Sequence, residues 1–84
     1  MNQKAKTAVV GDFTIFVPSE TDADRNWMSF IIPATGGQVE VTVQILYPHI
    51  ESALSGLQAN DDVLAFIDAH RPFLSCHYTI WTRR

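Results

Sequence analysis

Trp27-Met28-Ser29-Phe30-Ile31-Ile32-Pro33-Ala34-Thr35-Gly36-Gly37-Gln38-Val39-Glu40-Val41-Thr42-Val43-Gln44-Ile45 is the stretch on which the fold class turns. Met28, Phe30 and Ile32 alternate along its first half. Val39, Val41, Val43 and Ile45 alternate along its second, with Glu40, Thr42 and Gln44 between them. A two-residue period is that of a strand with one buried face, and the glycines between the runs suit a hairpin turn. Folding about Gly36-Gly37 sets Ala34 against Val39, Ile32 against Val41, Phe30 against Val43 and Met28 against Ile45, so that apolar residues meet on one face. Pro33 constrains the turn. A two-residue loop at Gly36-Gly37 would require Pro33 to donate a hydrogen bond to Glu40, and proline has no N–H. A four-residue loop, Thr35–Gln38, keeps the register and turns the Pro33 nitrogen away. The outer edge of this strand at its Pro33 end is then expected to be unpaired.

Working outward, Phe13, Ile15 and Val17 alternate with Asp12 and Thr14, which predicts a strand over 9–17 that Gly11-Asp12 bends or bulges and Pro18 ends. A polar, acidic loop follows at Ser19–Asp24. After the hairpin, Tyr47-Pro48 opens a helix whose stripe is Ile50, Ala53, Leu54 and Leu57. Gly56 keeps it short. Asn60 is the expected N-cap of a second helix, with Asp61 and Asp62 at its positive dipole end and Val63, Phe66, Ile67 and His70 on its buried side. The tail reads two ways. As a strand, Leu74, Cys76, Tyr78 and Ile80 alternate, and its β-branched and aromatic content agrees. As a helix, Phe73, Leu74, His77, Tyr78 and Trp81 share a face. The expected architecture is α+β. A three-stranded antiparallel sheet (about 9–17, 26–34, 39–46) precedes two short helices (about 48–58, 61–71) and a C-terminal strand or helix (about 73–82). It forms one domain over 1–84, with residues 1–6 a flexible basic tail.

From Trp27 to Leu74, and above all over Val63-Leu64-Ala65-Phe66-Ile67-Asp68-Ala69-His70-Arg71-Pro72-Phe73, the chain resembles a small bacterial family of unknown function in which a hairpin is followed by helices. That family continues with a charged, Glu-rich helix, where this chain has Pro72 and then Cys76-His77-Tyr78-Thr79-Ile80-Trp81. The resemblance implies a bacterial protein and tilts the tail toward helix. It implies no activity.

Composition narrows the function classes. Apolar residues at 46% and charged ones at 18% place the chain among folded domains rather than disordered segments. All nine acidic residues lie between Asp12 and Asp68, whereas Lys4, Lys6, Arg83 and Arg84 stand at the two ends. An acidic body disfavours a phosphate backbone, so nucleic acid contact would fall to the basic termini. No apolar run approaches the roughly 20 residues of a membrane span, and the polar start, Met1–Thr7, does not read as a secretory signal. Cytoplasm is the expected location, with no membrane partner.

Few residues are placed for chemistry. Cys76 is the single cysteine, and His49, His70 and His77 are not spaced as a zinc site. Asp22 and Asp24, and the pair Asp61-Asp62, lack the further ligands of a calcium loop. No cofactor, metal or catalytic residue is expected, and Cys76 reads as a small buried hydrophobe. The apolar residues left over carry more. With Met28, Phe30 and Ile32 facing the helices, Trp27 and Ile31 point the other way. Leu46 lies opposite Trp27 in this register, and Trp81 can join them. These four are the candidate partner interface. The leading expectation is a non-enzymatic protein-interaction module, homodimeric through that face or an exposed strand edge. The alternatives are an accessory regulator touching nucleic acid through its basic termini, and a small enzyme using Cys76, His70 and His77.

Overall fold

The computed structural model describes residues 6–80, with the side chains of 77–80 left outside the description. Of the expected basic tail, residues 1–5 lie outside the described residues, and Lys6 is already the first residue of a strand. The chain forms β1 (Lys6–Val10), β2 (Phe13–Val17), β3 (Trp27–Ala34), β4 (Gly37–Gln44), α1 (Tyr47–Ser55), α2 (Asn60–Ala69), a 3-10 turn (Arg71–Phe73) and β5 (Leu74–Ile80). The five strands make one antiparallel sheet in the order β1-β2-β3-β4-β5, a meander that the two helices interrupt before its last strand.

Three features differ from the expectations above, each for a physical reason. The single strand over 9–17 is a hairpin. Gly11 at φ 58° closes a two-residue turn with Asp12, the pattern of a type II′ turn, and Val10 pairs with Phe13 across it. Val10 and Phe13 are both buried although three positions apart, which a continuous strand would forbid.

The β3–β4 register is displaced by two residues. Ala34 pairs with Gly37, Ile32 with Val39, Phe30 with Val41 and Met28 with Val43, and the loop is Thr35-Gly36. Gly36 at φ 72° supplies the positive φ that the second central residue of a type II turn needs. This register meets the proline constraint without a longer loop. Ala34 and Gly37 flank the turn as a hydrogen-bonded pair, so Pro33 and Gln38 form the next, non-bonded pair, and the Pro33 nitrogen faces β2. The β2–β3 ladder accordingly runs only from Ser29 to Ile31 on β3 and stops short of Pro33.

Helix α2 begins at Asn60, with Ala59 as its N-cap. Ala59 has no side-chain acceptor, and the carboxylate of Asp62 instead reaches back to accept the N–H groups of Gln58 (3.0 Å) and Ala59 (3.1 Å). Asn60 is used elsewhere. Its Oδ1 accepts the Asp12 N–H and its Nδ2 donates to Asp12 Oδ2, both at 2.9 Å, clipping the β1–β2 turn to the start of the helix. A Cβ at position 11 would overlap Asn60 Oδ1, so glycine is required there by contact as well as by φ.

Of the two readings of the tail, the structure takes the strand. Of the segment 73–82, Phe73 ends the 3-10 turn, 74–80 pair along β4, and 81–82 lie outside the described residues.

Both helices cover the same side of the sheet. Ile15, Met28, Phe30 and Val43 are fully buried there beneath Ile50, Leu57 and Val63. Phe66 of α2 packs over Phe30 with ring centroids 5.7 Å apart. The α1 stripe falls as the spacing predicts, with Ile50 and Leu57 buried and Ala53 and Leu54 half-buried. Leu46, the residue before α1, makes no side-chain cap, and the first helical N–H, that of Tyr47, donates to Asn26 Oδ1 at 2.8 Å. No helix of the described residues is long and apolar enough to cross a membrane.

Phe30 stands where β2, β4 and α2 converge. Phe30→Ala should lower stability by about 3–5 kcal/mol, read from the midpoint of chemical denaturation. A loss under about half a kcal/mol would mean that Phe30 is not in the core.

Candidate functional site

The face of the sheet turned away from the helices is the candidate site. Alternation along each strand assigns its residues. One row across the sheet runs Val9, Thr14, Ile31 and Glu40, and the next runs Thr7, Phe16, Ser29, Thr42 and Ser75. Trp27 and Gln44 form a shorter row beyond. Among the described side chains of these rows only Glu40 is ionisable. The rest are hydroxyls, amides and large apolar groups.

Local contacts hold this layer in place. Ser29 is only 5% exposed, and its Oγ lies 3.0 Å from Thr42 Oγ1, a cross-strand hydroxyl pair between Phe16 on one side and the edge strand on the other. Trp27 is half-buried, and its indole N–H donates to the Asp24 carbonyl at 3.0 Å, which fixes the ring at the start of β3. Ile31 and Phe16 are half-buried, and Val9 is 72% exposed. Val9, Phe16, Trp27 and Ile31 belong neither to the core beneath the helices nor to the apolar residues packed against it.

Of the four expected interface residues, Trp27 and Ile31 do share this face. Leu46 does not join them, because the displaced register puts Gln44 opposite Trp27. Leu46 lies past the end of β4, 58% exposed, as the residue that leads into α1. Trp81 lies outside the described residues. Phe16 and Val9 are members that the expectation lacks. Phe16 was legible: it breaks the alternation of Phe13, Ile15 and Val17 with polar residues, the mark of a strand with apolar groups on both faces.

Cys76 corrects another expectation. It is exposed, not buried. It lies opposite Val41 on the side of the sheet that the helices occupy, but in the last strand, where cover runs out after the half-buried Leu74. His70 is committed elsewhere, with Nδ1 2.8 Å from the Phe66 carbonyl oxygen and its ring stacked 4.2 Å from that of Phe66. Cys76 and His70 are thus each accounted for separately. The side chain of His77 lies outside the described residues, as do Lys4, Arg83 and Arg84, on which a nucleic acid contact through the termini would rest. Among the described residues no three His, Cys, Asp or Glu side chains come together to hold a metal ion.

No protein-family model, curated protein or solved structure matches this chain. What the protein does is therefore argued from its own surface.

The exposure of Cys76 has a direct chemical readout. Its modification by a thiol reagent in native buffer should proceed within a few-fold of the rate in denaturant. A native rate lower by orders of magnitude would place the thiol under cover.

Proposed function

We propose that the chain is a non-enzymatic protein-interaction module of the cytoplasm that self-associates by stacking the outer face of its sheet on that of a second copy. The observation that carries this reading is the set Val9, Phe16, Ile31 and Trp27 on one face, outside the core that the helices cover. A continuous run of apolar groups at a surface, here one exposed and three half-buried, marks a contact site. Tryptophan is among the residues that most often anchor such contacts.

Charge favours a second copy as the occupant. The chain carries nine acidic and six basic residues, so two copies repel weakly over most of their surface. The outer face, with Glu40 as its ionisable group among the described side chains, is where two copies can approach with least repulsion. Five strands about 4.8 Å apart, each about 20 Å long, present roughly 500 Å² in plan before side-chain relief is counted. That approaches the roughly 800 Å² per partner of an ordinary stable interface. Two sheets stacked this way would bury Ile31 and Phe16 at about 10 Å separation, as in a β-sandwich.

Sedimentation over a concentration series tests the reading. The parent should self-associate, and Val9→Lys and Trp27→Ala should each raise the dissociation constant about tenfold or more, equivalent to about 1.4 kcal/mol. Val9 is mostly exposed, so Val9→Lys should leave thermal stability unchanged. A parent that stays monomeric into the hundreds of micromolar, or a Val9→Lys variant that associates as the parent does, would contradict it.

A further inference from the structure

The hydrogen-bonding phase of the whole sheet follows from its two tight turns. Ala34 and Gly37 are bonded partners across the Thr35-Gly36 turn, and bonded and non-bonded pairs alternate from there, so Phe30 and Val41 are bonded. Val41 therefore turns its main-chain groups away from β5, and Cys76 opposite it is a non-bonded partner. Ser75, His77 and Thr79 bond β4. It follows that Leu74, Cys76, Tyr78 and Ile80 direct their N–H and C=O groups outward from the last strand of the sheet. The first turn gives the same phase independently: Val10 and Phe13 are bonded across Gly11-Asp12, which leaves Thr7 and Val9 facing outward from β1.

The two edges differ in how they are protected. Edge strands in soluble proteins are blunted by shortness, charge, proline or a bulge. Strand β1 is five residues long and begins with Lys6. Strand β5 is seven residues, Leu74-Ser75-Cys76-His77-Tyr78-Thr79-Ile80, with no Asp, Glu, Lys, Arg or Pro, and it pairs with β4 residue for residue without a bulge. It has the composition of a strand that is paired on both sides.

We infer that β5 is a strand-pairing site and that its partner is β5 of a second copy, antiparallel about a two-fold axis through His77. This contact is separate from the face-to-face contact proposed above, since its axis runs perpendicular to the sheet and leaves the outer face open. Leu74 pairs with Ile80 of the second copy and Cys76 with Tyr78, so the outward-facing residues of each strand meet those of the other and form about eight main-chain hydrogen bonds. Ser75 pairs with Thr79 in the non-bonded positions, with His77 against itself at the centre. The paired residues 74–80 include no Asp, Glu, Lys or Arg. Phe73, 54% exposed just before β5, stands beside the end of the second copy's strand and gains cover there. The product is a continuous ten-stranded sheet with both outer faces on the same side.

The register makes a site-specific test possible. Residues at a non-bonded antiparallel pair have Cα atoms about 4.5 Å apart, within disulfide range. His77→Cys, made in a Cys76→Ser, Val9→Lys background that removes the native thiol and weakens the face contact, should oxidise to a covalent dimer in most of the sample under mild oxidant. The matched Ser75→Cys variant should remain monomeric on a denaturing gel, because the two copies of position 75 lie about 13 Å apart along the strands. The Val9→Lys protein with native β5 should still sediment as a dimer. Equal cross-linking at positions 75 and 77, or a monomer in the Val9→Lys protein at hundreds of micromolar, would overturn the edge pairing. Loss of association in the Val9→Lys protein would leave the face reading standing, whereas its failure to respond to Val9→Lys would sink the face reading alone.

Discussion

Pro33 has no N–H, and the way β3 meets β4 is arranged around that absence. With Thr35-Gly36 as the loop, Pro33 falls in a non-bonded pair with Gln38 and its nitrogen faces β2, whose ladder has already ended at Ile31. One tight turn thereby sets the phase of every later pair. Phe30 lies against Val41 on the helix side, and Ser29 lies against Thr42 on the other. Through β4 the same phase passes to β5, deciding which of its main-chain groups bond β4 and which face outward. Which residues meet across the sheet, and which main-chain groups face outward at its last strand, both follow from that turn.

Around that hairpin the molecule is a two-layer structure in which one layer is short. Two helices of nine and ten residues cannot roof five strands, and they are placed over β2, β3 and β4, where Ile15, Met28, Phe30 and Val43 reach full burial. Polar side chains tie them down from a distance in sequence. Asn26 takes the first N–H of α1, and Asn60 grips the turn at Asp12 across 48 positions. One hydrogen bond at Asn26 and two at Asn60 are worth on the order of 1 kcal/mol each, but they fix the orientation of helices whose N-caps, Leu46 and Ala59, offer no side-chain acceptor. Outside the reach of the helices lie Cys76 and Phe73, exposed at the β5 end, and Phe16 and Ile31, half-buried on the far side.

How much of this was legible in the sequence follows from what each signal can resolve. Alternation assigns faces, and it placed Phe30, Val41 and Val43 in the core and Trp27 and Ile31 outside it. It cannot detect a slip of two, because a two-residue shift returns every side chain to its own face. Only turn geometry distinguishes the two registers, a four-residue loop over Thr35–Gln38 or a two-residue turn at Thr35-Gly36 with Gly36 at positive φ. The hairpin at Gly11-Asp12 was hidden for a related reason: Val9 to Val17 reads as one β-rich run unless Val10 and Phe13 are recognised as sharing a face. Asn60 satisfied every local rule for an N-cap, and a tertiary contact with Asp12 outweighed them. Alternation put Cys76 on the helix side correctly, but burial depends on what lies above a strand, which no local pattern reports.

The register decides which residues meet across β3 and β4 and how the chain turns between them, and it can be observed without a mutation. In an antiparallel pair the Hα atoms of non-bonded partners lie close enough for a strong nuclear Overhauser effect. Spectra in D₂O should show Hα–Hα cross-peaks between Ser29 and Thr42 and between Ile31 and Glu40. Cross-peaks between Ser29 and Gln44 and between Ile31 and Thr42, the pairs of the register displaced by two, would contradict the account.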